Sequence, residues 1–179
     1  MLKVSIPAQE MWDEKTNAFV QIPKIDLQLE HSLVSISKWE SKWCKPFLTK
    51  EEKTEEEIID YIRCMTLNSG VDPNIYNWIP QSIMNQISDY IGAPMTATTF
   101  SDSSKKQNRE IITNEIIYYW MITFGIPFEC QKWHLNRLLT LIRVCSVKNA
   151  PAEKMTPREI MEQNRALNKL RKAQLHTRG

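Results

Sequence analysis

Glycine is scarce in this chain, with four in 179 positions. So few leave no glycine-rich loop to cradle a phosphate, and they disfavour a sheet-rich fold with many tight turns. Neither Gly-x-Ser-x-Gly nor Gly-x-x-x-x-Gly-Lys occurs, so there is no nucleophile elbow and no phosphate loop. The four cysteines, Cys44, Cys64, Cys130 and Cys145, form no Cys-x-x-Cys pair. We read them as buried free thiols in a reducing compartment, since free cysteine packs as a small hydrophobe. The opening Met1-Leu-Lys-Val-Ser-Ile-Pro7 lacks the apolar run of a secretory signal, which predicts a cytoplasmic protein. Charge of one sign is also lacking: the net charge is +2, which points to no class of partner. Hydrophobic content of 42% with 25% charged residues fits one globular domain with a real core, with room for a small second module.

What the chain does have is an apolar stretch over residues 115–145, broken at Gly125-Ile-Pro127. Before the break Ile112, Ile116, Tyr119 and Trp120 fall at helical spacing, with Ile117, Met121 and Phe124 beside them. After it Trp133, Leu138, Leu141, Ile142 and Cys145 do the same. Glycine can end a helix at positive φ and proline cannot continue one. The pattern predicts two antiparallel helices joined by a tight corner, their apolar stripes facing each other. The stretch is too interrupted, and too rich in Glu, Lys, His and Arg, to span a membrane.

Residues 1–30 follow a period of two. Leu2, Val4 and Ile6, then Phe19 and Gln21, then Ile25, Leu27 and Leu29 alternate with polar neighbours, around a polar turn at Asp13-Glu-Lys-Thr-Asn17. This predicts a small antiparallel hairpin or meander, with Pro7 and Pro23 at breaks or edges. From Ser32, a capping residue, the period turns helical: Leu33, Ile36, Trp39 and Trp43 make one stripe, and Lys38, Glu40 and Lys42 make the other face polar. The two tryptophans either seal this helix onto the core or face a partner. Thr54 and Glu57 have capping-box spacing, and Glu55, Glu56 and Glu57 suit the positive end of the helix dipole. Asp72-Pro73 is a further cap, and Pro80 opens a helix through Ile83, Ile87, Tyr90 and Ile91 to Gly92. Residues 93–107 have no period and read as a surface loop, with Thr96, Thr98 and Thr99 as an alternative short extended piece. Thr156-Pro-Arg-Glu159 caps a last helix that is weakly apolar (Ile160, Met161, Leu167, Leu170). Residues 153–178 carry seven Lys or Arg against three Glu. The expected fold is mainly α, a helical bundle with a small N-terminal antiparallel β hairpin or meander. Its expected parts are a β arm (1–30), a helical core domain (31–149) and a basic C-terminal helix and tail (150–179).

Candidate chemistry is thin. Cys130 and His134 stand four apart and would share a helix face, as two metal ligands or a thiol–imidazole pair would. Structural zinc needs four ligands, and His31 and His176 are remote in sequence, so no metal, cofactor or catalytic residue is assigned. The basic tail could contact phosphates, but it lacks aromatic residues for stacking on bases, so nucleic acid is not the expected partner.

Three stretches carry a resemblance. They are Glu30-His-Ser-Leu-Val-Ser-Ile-Ser-Lys-Trp-Glu-Ser-Lys-Trp-Cys-Lys-Pro-Phe-Leu48, then Tyr118-Tyr-Trp-Met-Ile-Thr-Phe-Gly-Ile-Pro-Phe-Glu-Cys-Gln-Lys-Trp-His-Leu-Asn-Arg-Leu-Leu-Thr-Leu-Ile-Arg-Val-Cys145, then Ala166-Leu-Asn-Lys-Leu-Arg-Lys-Ala-Gln-Leu-His-Thr-Arg-Gly179. With them the chain resembles the tail assembly chaperones of long-tailed bacteriophages. The resemblance implies a non-enzymatic, mainly helical protein of the host cytoplasm. It would bind the tape measure protein, with tail-tube subunits and a second copy of itself as further partners, and no membrane. The expected partner-facing residues are Trp39 and Trp43 together with Arg165, Lys169, Arg171 and Lys172. The N-terminal strands keep a second reading open, a structural part of the virion such as a connector, tail or baseplate protein.

Overall fold

A computed structural model describes residues 1–13, 17–100, 111–150 and 157–175. Four strands open the chain: β1 (Leu2–Ile6), β2 (Gln9–Asp13), β3 (Ala18–Ile22) and β4 (Ile25–Leu29). β1 pairs with β4 from Leu2↔Leu29 to Ile6↔Ile25, and β2 with β3 from Gln9↔Ile22 to Asp13↔Ala18. The residue numbers of every pair have the same sum, so this is one long hairpin in a single register. Pro7 and Pro23 lie in the gap between the two ladders, as expected of residues with no N–H to donate. The alternation places Val4, Ile6, Leu27 and Leu29 inside and leaves Lys3, Ser5, Asp26 and Gln28 in solvent.

The outer edge of β4 is covered. The Leu67 amide donates to the Gln28 carbonyl and the Glu30 amide to the Met65 carbonyl. Asn68 accepts from the Gln28 amide and donates to the Asp26 carbonyl. A free edge would invite pairing with another chain, and this segment closes it.

The helices are α1 (Leu33–Trp43), α2 (Glu55–Met65), α3 (Gln81–Gly92), α4 (Asn114–Thr123), α5 (Leu135–Asn149) and α6 (Pro157–Leu175), with 3-10 turns at Pro73–Trp78 and Phe128–Lys132. Ser32 caps α1 and Thr54 caps α2 as expected, Thr54 through the expected box and Ser32 through a box with Ser35: each side chain accepts from the amide three residues on, and Ser35 and Glu57 reach back. Asp72 caps the first 3-10 turn. The cap expected at Thr156 lies outside the described residues, as do 101–107 of the long loop; residues 93–100 form no strand.

The hub is α1, where the sequence pointed to 115–145. Leu33, Ile36 and Trp39 are fully enclosed, and α1 packs on α2, α4 and the second 3-10 turn. The core then gathers Val4, Ile6, Leu27 and Leu29 from the sheet with Ile62, Met65, Ile87, Ile117, Met121, Leu135 and Leu138 from the other helices. The fold is therefore mixed α/β: strands and helices build one core, where a helical bundle with attached strands was expected. Residues Met1–Ser146 make one compact unit and Val147–Gly179 a second.

Three further expectations change. The corner between α4 and α5 is longer than a tight turn, because Gly125 (φ 63°) leads into a 3-10 turn before α5 begins. The buried face of α4 is Asn114, Ile117 and Met121, while Tyr119 and Ile122 stand exposed. This helix is apolar nearly all round, so periodicity alone could not choose its inner face. Of the cysteines Cys130 is buried, Cys64 and Cys145 are half-buried, and Cys44 is exposed. Cys44 sits at the left-handed C-cap of α1, a surface position.

Candidate functional site

The two tryptophans of α1 face inward. Trp39 is 1% exposed and its indole N–H donates to the Glu57 carbonyl at 2.9 Å. That is the core-sealing alternative: as folded, Trp39 offers nothing to a partner, which corrects its place among the partner-facing residues. Trp43 is half-buried, stacks beside Trp39 with ring centroids 6.2 Å apart, and donates to Asp60 Oδ2 at 2.9 Å. Its hydrogen bond, too, is satisfied within the fold.

Glu40 was expected on the polar face of α1 and is buried. Its carboxylate accepts from the Phe47 amide (2.6 Å), the Asn114 amide (2.8 Å) and Asn114 Nδ2 (2.6 Å). Thr113 makes no side-chain cap for α4. Glu40 does this instead, from another helix, where the dipole also favours a negative charge. Beside it Lys42 pairs with Asp60 and Lys45 with the enclosed Glu57, at 2.5 and 2.6 Å. Lys45, with the Thr54 amide, holds the Glu57 carboxyl below its ordinary pKa.

Cys130 and His134 do not share a helix: one lies in the 3-10 turn, the other just before α5. The ring of His134 is fully engaged. Nε2 donates to the Tyr90 carbonyl at 2.9 Å, and Nδ1 accepts from the Asn136 amide at 3.3 Å, capping α5. That leaves no ring nitrogen for a metal or for proton transfer.

The structure also brings together a pair the sequence kept apart. His31 lies 5.1 Å from His134 between ring centroids, and its Nδ1 shares a hydrogen bond with the Tyr61 hydroxyl at 2.5 Å. Tyr90 packs on His134 and donates its hydroxyl to Glu30 at 2.6 Å. Burial, then the neighbouring His134, pushes His31 down to about 4. Burial also lowers His134 and raises Tyr61 and Tyr90. Enclosed and mutually satisfied, these groups form a structural knot where β4, α2, α3 and α5 meet. The signal for it was positional: each histidine stands just ahead of a helix, and the backbone bridges Ser32 to His134.

Among the described residues no group of three or more His, Cys, Asp or Glu is arranged to hold a metal, and no helix is long and apolar enough to cross a membrane. A groove of about 370 Å³ runs between the hairpin and the first 3-10 turn, lined by Ile22, Pro23, Ile25, Val71, Ile75 and Trp78. The Asp72 side chain on its rim is already committed to the Asn74 amide.

What stays exposed is apolar surface. On the hairpin, Trp12 and Phe19 face each other across the ladder, edge to face at 5.0 Å, and are 46% and 66% exposed. On α6 every described side chain is exposed, including Ile160, Leu167 and Leu170. At 100° per residue these three make one stripe, and Arg158, Arg165, Lys169 and Lys172 fall on the opposite side. Of the expected basic residues, Arg165, Lys169 and Lys172 thus share a face, while Arg171 lies beside the apolar stripe. The sequence showed the basic residues of this helix, and its leucines only as a weak pattern. Comparison of the chain with protein families, curated proteins and solved structures gave no match in any of the three.

Proposed function

We propose that this chain is a non-enzymatic binding protein that acts as a phage tail assembly chaperone. It would engage the tape measure protein, with tail-tube subunits as further clients, in the host cytoplasm. One observation carries the reading: a 19-residue amphipathic helix, α6, whose apolar stripe lies in solvent. An isolated helix of this length is marginal in water, and packing of its apolar face is what normally stabilises it. A tape measure presents long apolar helical stripes before the tube polymerises around it, and helix-on-helix packing would cover both surfaces. The buried, internally bonded polar groups of the Met1–Ser146 unit fit a scaffold whose task is to hold a shape. Co-expression with a tape measure fragment tests the reading. The fragment should become soluble and co-purify; an equally insoluble fragment with and without this chain rejects the reading.

The Trp12–Phe19 pair favours a second reading, a structural part of the virion. Exposed aromatics on a projecting hairpin are a natural docking element, and among the described residues no strand pairs with the outer edges of β2 and β3. Mass spectrometry of purified particles separates the two: a chaperone is missing from them, a component is present in fixed stoichiometry.

A further inference from the structure

We infer that the open outer edge of β3 is a docking site for an extended segment of another protein, which adds as a strand and lays apolar side chains into the groove beside the first 3-10 turn. The inference goes beyond the chaperone role and does not rest on it. The ladders β1–β4 and β2–β3 share one register, so β3 and β4 follow one another along the same side of the hairpin. The fold covers the β4 part of that side with its own chain. Thr66 bridges Leu29 antiparallel, and the Leu67 amide donates to the Gln28 carbonyl. Asn68 ends the row with its side-chain amide, which bonds to Gln28 and Asp26. Gly70, at φ 73°, then turns the chain away toward the 3-10 turn at Pro73–Trp78. Beyond that point the edge of β3, Ala18–Ile22, has no strand partner among the described residues.

The groove of about 370 Å³ opens where the covering segment leaves. Its hairpin wall is Gln21, Ile22, Pro23 and Ile25, from β3, β4 and the break between them, with nothing from β1 or β2. Val71, Ile75 and Trp78 face that wall. The two walls are tied together, because Gln9, opposite Ile22 in the ladder, donates its side-chain amide to the Trp78 carbonyl at 2.8 Å. An unpaired strand edge offers N–H and C=O groups whose complement is another extended backbone, and the chain's own Leu67 and Asn68 already answer β4 in that way. In an added strand alternate side chains point to one face, so apolar residues two apart would enter the groove while the backbone bonds to β3. Other occupants fit less well. A free apolar molecule would fill the groove and leave the edge unpaired. Two copies paired antiparallel along β3 would bring the polar Asn17 end of each strand against the other's groove at Pro23.

The test uses the full chain and a panel of eight-residue peptides in which threonine alternates with valine, isoleucine, leucine or phenylalanine. Each peptide has a twin with the same side chains and N-methyl groups on alternate backbone amides, which removes strand hydrogen bonds and keeps the apolar contacts. At least one peptide should bind and slow hydrogen exchange in Ala18–Ile22, and its twin methylated on the amides that face β3 should bind about tenfold more weakly or worse. Val71→Lys, which puts a charge in the groove, should weaken binding to a similar degree with circular dichroism unchanged. Should that variant fail to fold, exchange in the native chain still decides the matter. The inference is overturned if no peptide binds, or if peptide and twin bind equally, which would mean that the groove takes side chains without a strand. It is also overturned if protection appears on α6 and not on β3, or if the chain alone forms a concentration-dependent dimer that protects β3, since a second copy is then the occupant. None of these outcomes depends on whether the tape measure fragment is solubilised, so this inference and the chaperone role fall separately.

Discussion

Burial holds His31 and His134 toward the neutral form in the folded protein, and the neighbouring His134 adds to this at His31. A histidine whose pKa is lowered by folding takes its proton more readily when unfolded. Its contribution to stability is complete above the unfolded value of 6.5 and is lost as pH falls toward about 4. For His31 alone that loss reaches about 3 kcal/mol by pH 4. Thermal melts should therefore show Tm falling between pH 6.5 and pH 4. His31→Gln should flatten that slope, at some cost at neutral pH from the altered bond to Tyr61; a slope unchanged in the variant would mean other groups cause it. Glu57 acts lower down. Its pKa is depressed, so its share is present above the ordinary carboxylate range and is lost as pH drops through the folded value.

Two more residues make separate claims. Trp39→Ala should cost about 4 kcal/mol in denaturant melts, because it empties the centre of the core; a stable variant defective only in partner binding would contradict its burial. Glu40→Ala should cost about 3 kcal/mol, because two buried donors on Asn114 and the part-buried Phe47 amide lose a charged acceptor. Hydrogen exchange should show that loss concentrated at the start of α4, around Asn114.

At the scale of elements the hairpin and α4 make opposite lessons. The hairpin was readable in part because period two, a polar turn and two prolines agree: β1, β3, β4 and the breaks at Pro7 and Pro23 follow from local chemistry, while the strand at Gln9–Asp13 and the pairing register came from the structure. In α4 nearly every position is apolar, and the neighbours decided which side faces in. Glu40 fixes the start of the helix and Ile117 and Met121 fill the space against α1, which turns Tyr119 and Ile122 outward. Caps were equally legible where they are local, at Ser32, Thr54 and Asp72. They were illegible where the capping carboxylate comes from another helix.

For the whole molecule, the division after Ser146 has a direct consequence. A chain ending at Ala150 keeps the complete core, including Leu135, Leu138 and Ile142, and lacks α6. It should melt with a Tm within about 3 °C of the full chain, since none of the residues of the buried core cluster is removed. A large drop in Tm would show that the C-terminal segment is part of the fold's stability.

The sequence by itself determined the elements: strands at its start, helices after Ser32, their local caps, and a basic terminal helix. Those depend on periodicity, proline, and side chains within four residues of each other, all of which are written along the chain. Tertiary structure alone decided that α1 is the hub, that Glu40 and Trp39 are interior, and that His31 meets His134. Each of these turns on which distant segment occupies the space beside a residue. That is settled by close packing of the whole core and by pairing of buried polar groups, and neither is encoded in any local window.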